Sequence, residues 1–104
     1  MSYKESMELV KSKYDSNKMK GVTAVYQFEL AGDGGGHFYI EVNDGAAEFM
    51  DGQAEDPNIT VTMELEDFKK LLDGELNATS AFMTGKIKVK GDMSLAMKLQ
   101  ALLG

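Results

Sequence analysis

Five stretches of this chain alternate apolar and polar residues with period two, and helical spacing is confined to what lies before, between and after them. A strand turns successive side chains to opposite faces, so alternation marks strands with one buried and one wet face. In residues 22–30, Val22, Ala24, Tyr26, Phe28 and Leu30 share one face, against Thr23, Val25, Gln27 and Glu29. Residues 37–42 repeat the pattern with Phe38, Ile40 and Val42 inward. Asn43-Asp44-Gly45 signals a hairpin, because these residues tolerate positive φ, and a short strand follows at 46–50. After a polar loop at 51–56, Pro57 suits the first residue of a strand, in which Ile59, Val61 and Met63 alternate with two threonines. Residues 86–90 put Ile87 and Val89 in and three Lys out, as in an edge strand protected against aberrant pairing.

Helical spacing governs the rest. Tyr3, Met7, Val10 and Tyr14 form one face of a helix over 2–17, with Ser2 and Glu5 placed for a capping box. Residues 18–21 end it. Leu65, Phe68, Leu71 and Leu72 form a second stripe, stopped at Asp73-Gly74. Asn77 is placed to cap a short helix through Met83, and Asp92 to cap a last helix that is apolar almost all round. These elements predict one α+β domain over residues 1–104: a five-stranded, mainly antiparallel sheet covered on one face by helices. The first four strands read as one antiparallel run.

Composition excludes several functions. Eleven Lys and no Arg stand against seventeen acids, a net charge of −6, which argues against nucleic acid. The charge is segregated: residues 21–68 hold eleven acids and no Lys, whereas 69–104 hold six Lys and three acids. That pattern suits solvated faces, and also a basic end able to make transient contact with anionic lipid. Without Cys there is no disulfide, thiolate metal site or cysteine nucleophile. No apolar run suits a membrane span and no leader is visible, so the expected location is the cytoplasm.

Catalytic and metal candidates fail in turn. Gly32-Asp33-Gly34-Gly35-Gly36 precedes a strand, whereas a phosphate loop opens a helix. His37, the only imidazole, falls on an outward face at a strand start. Asp51, Glu55 and Asp56 lack calcium-loop spacing. The reading is a non-enzyme with no metal and no cofactor. What stands out is apolar: eight of 104 residues are Met, and Met is an adaptable filler suited to surfaces that repack around variable ligands. Met83, Met93 and Met97 gather near the last helix.

Residues 59–103, and above all SAFMTGKIKVKGDMSLAMKLQ at 80–100 with the preceding Asp67-Phe68 and Gly74, resemble the sterol carrier protein type two domain. The N-terminal half is similar more loosely. The resemblance implies an apolar tunnel between sheet and helices that holds a sterol, fatty acid, fatty acyl-CoA or phospholipid. On the matching positions it implies that Phe68 and Leu72 wall the tunnel, with Phe82 and Met83 from the short turn and Ile87 and Val89 from the last strand. Met93, Leu95, Ala96, Met97, Leu99 and Gln100 would close it, Gln100 meeting either a ligand head group or solvent. Phe28, Phe38 and Ile40 join as inward residues of the sheet. Leu65 and Asn77-Ala78 depart from the family pattern, and Leu-Leu-Gly is not a peroxisomal address. The expectation is a stand-alone, bacterial-type carrier for which acyl chains suit better than sterol. The alternative is an interaction or dimerisation module using the apolar last helix. Its oligomeric state, monomer or homodimer, stays open.

Overall fold

A computed structural model describes residues 2–103. Helix α1 spans Tyr3–Lys13, and the Ser2–Glu5 capping box is formed at its start. It ends four residues earlier than predicted, and Ser16–Met19 forms a separate 3₁₀ turn that drives Met19 into the core. The strands are β1 (Thr23–Ala31), β2 (Gly36–Asn43), β3 (Ala46–Asp51), β4 (Ile59–Glu64) and β5 (Ile87–Gly91). The β2–β3 turn places Asp44 at φ 49° and Gly45 at φ 88°, the double positive φ of a two-residue hairpin.

The sheet order is β3-β2-β1-β4-β5. Three pairings are antiparallel, and β1 with β4 is parallel. This corrects the four-strand antiparallel run. The chain leaves β3 at one edge, crosses the outer face and re-enters beside β1. Gln27 carries that crossing: its Oε1 accepts from the Ala54 amide at 2.7 Å, and its Nε2 donates to the carbonyls of Phe38 and Gly52, both at 3.2 Å. Gln27 is therefore buried on the face that alternation assigned to solvent. Asn58 then fixes the register of β4: its Oδ1 accepts from the Val25 amide at 2.7 Å, and its own amide donates to the Val25 carbonyl at 3.0 Å. Pro57 precedes the strand and does not begin it.

The helices cover the inner face. Helix α2 (Leu65–Leu72) buries Leu65, Phe68, Leu71 and Leu72. Asn77 caps α3 (Ala78–Met83), accepting from the Ser80 amide. The last helix is two short ones, α4 (Met93–Ala96) and α5 (Leu99–Leu103). At the break, the Leu95 carbonyl accepts from the Lys98 amide at 3.1 Å and from the Tyr26 hydroxyl at 2.9 Å, in place of the Leu99 amide of an unbroken helix. The break turns Leu99, Leu102 and Leu103 into the core and leaves α4 with no buried residue. Gly91 is required where β5 turns into α4. A Cβ there would lie 2.4 Å from the Asn58 carbonyl oxygen, and φ is +120°.

Candidate functional site

The apolar interior divides in two. At its centre the rings of Phe28 and Phe38 stack at 4.9 Å, and Phe68 meets them at 5.7 and 6.0 Å. All three are fully buried, as is Ile40, and Leu72 nearly so. These five sequence-predicted residues are packed core. The space lies at the β5 end of the sheet. It is a chamber of about 380 Å³ bounded by α3, β5, α4 and α5. Eight predicted residues line it: Phe82, Ile87, Val89, Met93, Ala96, Met97, Leu99 and Gln100. Three rings fill the middle of the inner face, and the chamber lies at the β5 end of the sheet.

Two lining residues, Ala78 and Thr79, were missed. Asn77 as a cap was the available signal, since it puts 78 and 79 in the first turn of α3. Met83 and Leu95 lie outside the lining. Met83 is 80% exposed, and Leu95 offers its carbonyl to Tyr26. Gln100 is exposed to solvent, one of its two expected settings, and also borders the chamber. Its Oε1 accepts from the Ala78 amide at 3.2 Å, joining α5 to the start of α3 across the chamber. Among the described residues, only Thr79 and Gln100 bring polar side chains to the lining.

The chamber's outer wall, α4, is held at its ends. Asp92 caps it by accepting from the Ser94 hydroxyl at 2.6 Å and amide at 2.9 Å, which holds its carboxyl below the usual range. The Asp92 amide bonds to the Asn58 carbonyl at 3.0 Å. Tyr26 ties down the far end from β1. Burial pushes its hydroxyl up to about 12, with Asp92 and Tyr14 adding to the rise. A raised folded-state pKa contributes stability that is present below the unfolded value, about 10, and is lost as pH climbs through about 12. Tyr26→Phe should cost about 0.5–1.5 kcal/mol at neutral pH. Denaturant midpoints followed from neutral to strongly alkaline pH should show the gap between wild type and variant closing above pH ~10. A constant gap would mean that the hydroxyl does not hold the helix through this bond.

His37 lies on the outward face that alternation assigned to it, at the start of β2. Its Nδ1 lies 3.2 Å from the Glu29 carboxylate on the open outer face, and Gln53 donates to the same carboxylate. Among the described residues no group of three or more His, Cys, Asp or Glu could hold a metal ion, and no helix is long and apolar enough to cross a membrane.

A mixed sheet with helices over one face and an apolar chamber at its edge defines a class of small α+β domain with room for a hydrophobic guest. The chain belongs to the SCP-2 sterol transfer family, whose model matches residues 4–104. It is 37% identical over 100 residues to cattle hydroxysteroid dehydrogenase-like protein 2, covering 95% of this chain and 24% of that protein. The chain thus spans about a fifth to a quarter of the length of the curated relatives it matches. Among solved structures, sterol carrier protein domain 2 of Helicoverpa armigera superposes with TM-score 0.74 at 32% identity, over 97% of this chain and 84% of that one. Palmitated SCP2L2 from Aedes aegypti gives TM-score 0.78 at 28% identity, over 99% and 95%.

Proposed function

We propose that this chain binds a single-chain lipid, a fatty acid or fatty acyl group, in the chamber between β5 and helices α3 to α5, and carries it without acting on it chemically. The chamber carries this reading: about 380 Å³ with eight of ten lining residues apolar, within the roughly 300–1,000 Å³ of small-molecule sites. The palmitated form of the mosquito relative supports an acyl guest. Among the described residues no nucleophile–base pair lines the chamber, and a carrier suits that lining better than an enzyme. The proposed setting is the cytoplasm. Dimerisation through the last helix is less well supported, because Leu99, Leu102 and Leu103 are spent on the protein's own core.

Each buried methylene contributes about 0.8 kcal/mol, so each two-carbon extension should tighten binding about fifteenfold until the chamber is full. Titrating delipidated protein with the saturated acids from octanoate to palmitate should show that climb and then a plateau. Ligand at ~100 times its Kd should raise stability by about 2.7 kcal/mol, read as a higher Tm. No saturable binding and no Tm shift at micromolar ligand across the series would end the proposal.

A further inference from the structure

Every sulfur in this chain is a methionine thioether, because there is no Cys. With no thiol and no Trp to intercept a mild oxidant, methionine is the readiest target on the chain for oxidation by two electrons. Burial sorts the methionines. Met7, Met19 and Met63 are buried, whereas Met50, Met83, Met93 and Met97 are exposed. Among the described residues only Met93 and Met97 also line the chamber. Met93 opens α4 and Met97 follows its last residue, four positions on, so the two share one side of that short helix. They are 49% and 87% exposed, while the lining residues Ile87 and Leu99 are buried. The two methionines therefore stand at the opening, bordering the apolar volume on one flank and water on the other. An oxidant reaches them without entering the chamber or opening the fold.

A thioether is apolar and adapts to a guest, but a sulfoxide is polar and accepts hydrogen bonds. An acyl chain offers none. The Ala78 amide beside the chamber already donates to Gln100. A sulfoxide at position 93 or 97 therefore either faces the guest unsatisfied or swings into water and takes part of the apolar wall with it. Both outcomes weaken binding.

We propose that Met93 and Met97 are a modification site, at which oxidation by a peroxide loosens the chamber's hold on an acyl chain and enzymatic reduction restores it. The inference rests on the lipid-carrying reading of the chamber. In the forward step a sulfur lone pair attacks one oxygen of hydrogen peroxide, the O–O bond breaks, and sulfoxide and water result. Sulfur loses two electrons and the peroxide gains them. In the return step methionine sulfoxide reductases, one for each sulfoxide epimer, remove the oxygen as water while a dithiol reductant becomes a disulfide. Lacking Cys, this chain forms no disulfide in either direction.

The test titrates delipidated protein with palmitate before treatment, after hydrogen peroxide, and after both reductases with dithiothreitol. Peptide mass spectrometry locates each sulfoxide, and the peroxide is dosed so that Met7, Met19 and Met63 stay unoxidised. Affinity should fall about tenfold, the cost of one poorly satisfied polar group, and return on reduction. M93L/M97L, which keeps the apolar volume without the sulfur, should hold its own starting affinity through the same treatment. M50L/M83L should lose affinity as wild type does, because neither position lines the chamber. The proposal is overturned if affinity survives oxidation of Met93 and Met97, or stays low once their thioethers are restored. It is also overturned if M93L/M97L weakens as much as wild type, or if M50L/M83L is spared. Untreated protein that binds no palmitate ends the lipid-carrying reading and this inference with it, and that result is read before any peroxide is added.

Discussion

Phe68→Ala should remove about 3–5 kcal/mol of stability, the cost of truncating a fully buried ring whose neighbours cannot close the gap. Phe68 is completely buried and touches two rings, Phe28 and Phe38, that stack on each other. A domain of this size holds about 5–15 kcal/mol in all, so the variant should sit near the margin of folding at 37 °C. At about 4–8 °C per kcal/mol, Tm should fall by at least ~12 °C. Adding fatty acid sharpens the reading. If the Phe cluster is core, as the packing shows, ligand should raise the Tm of F68A by about the same increment as in wild type. If Phe68 instead wallpapered a lipid-filled tunnel, the shortened side chain would enlarge that tunnel, and long-chain ligand would restore most of the lost stability. Thermal melts of both proteins with and without palmitate separate the two, and Phe68→Leu should retain enough stability to be measured should the alanine variant fail to fold.

That distinction marks the limit of periodicity as a guide. Alternation correctly turned Phe28, Phe38 and Ile40 inward, and the caps at Ser2, Asn77 and Asp92 formed as the short polar side chains there imply. Period two assigns a face, however, and not a depth. It cannot tell a ring that closes on another ring from one that borders a void. The parallel β1–β4 pairing was hidden for a related reason. Hairpins advertise themselves through local turn residues, but a crossover is decided by where a distant strand finds hydrogen bonds. Here the deciding residue, Gln27, looked like one more solvent-facing polar position. The methionines divide along the same line. Met7, Met19 and Met63 are core, whereas Met83, Met93 and Met97 are exposed. Their surplus was legible as composition; the exposure of Met93 and Met97 goes with the break after Leu95, whose carbonyl accepts from Tyr26, sixty-nine residues away.

Val89→Trp should abolish useful lipid binding while leaving the fold intact. Val89 is half-buried on the inner side of β5, opposite Val61, and its side chain borders the chamber. Strand side chains stand roughly perpendicular to the sheet, so an indole at this position is directed into the open volume and away from the packed rings. If it displaces about four methylenes of ligand at ~0.8 kcal/mol each, affinity falls about two-hundredfold. The effect on stability should have the opposite sign from the usual small-to-large change. Overpacking costs about 1–3 kcal/mol where a core is already full, but empty space is itself destabilising, by up to about 24 cal/mol per Å³. The ligand-free Tm of V89W should therefore equal or exceed that of wild type, and palmitate should no longer raise it. Isothermal titration and paired melts read both quantities on one preparation. Retained affinity together with a normal fold would place the lipid somewhere other than this chamber. A collapse in Tm would show instead that the chamber is narrower than 380 Å³ implies, and Ala96→Phe, on the facing wall, then offers a smaller obstruction to the same volume.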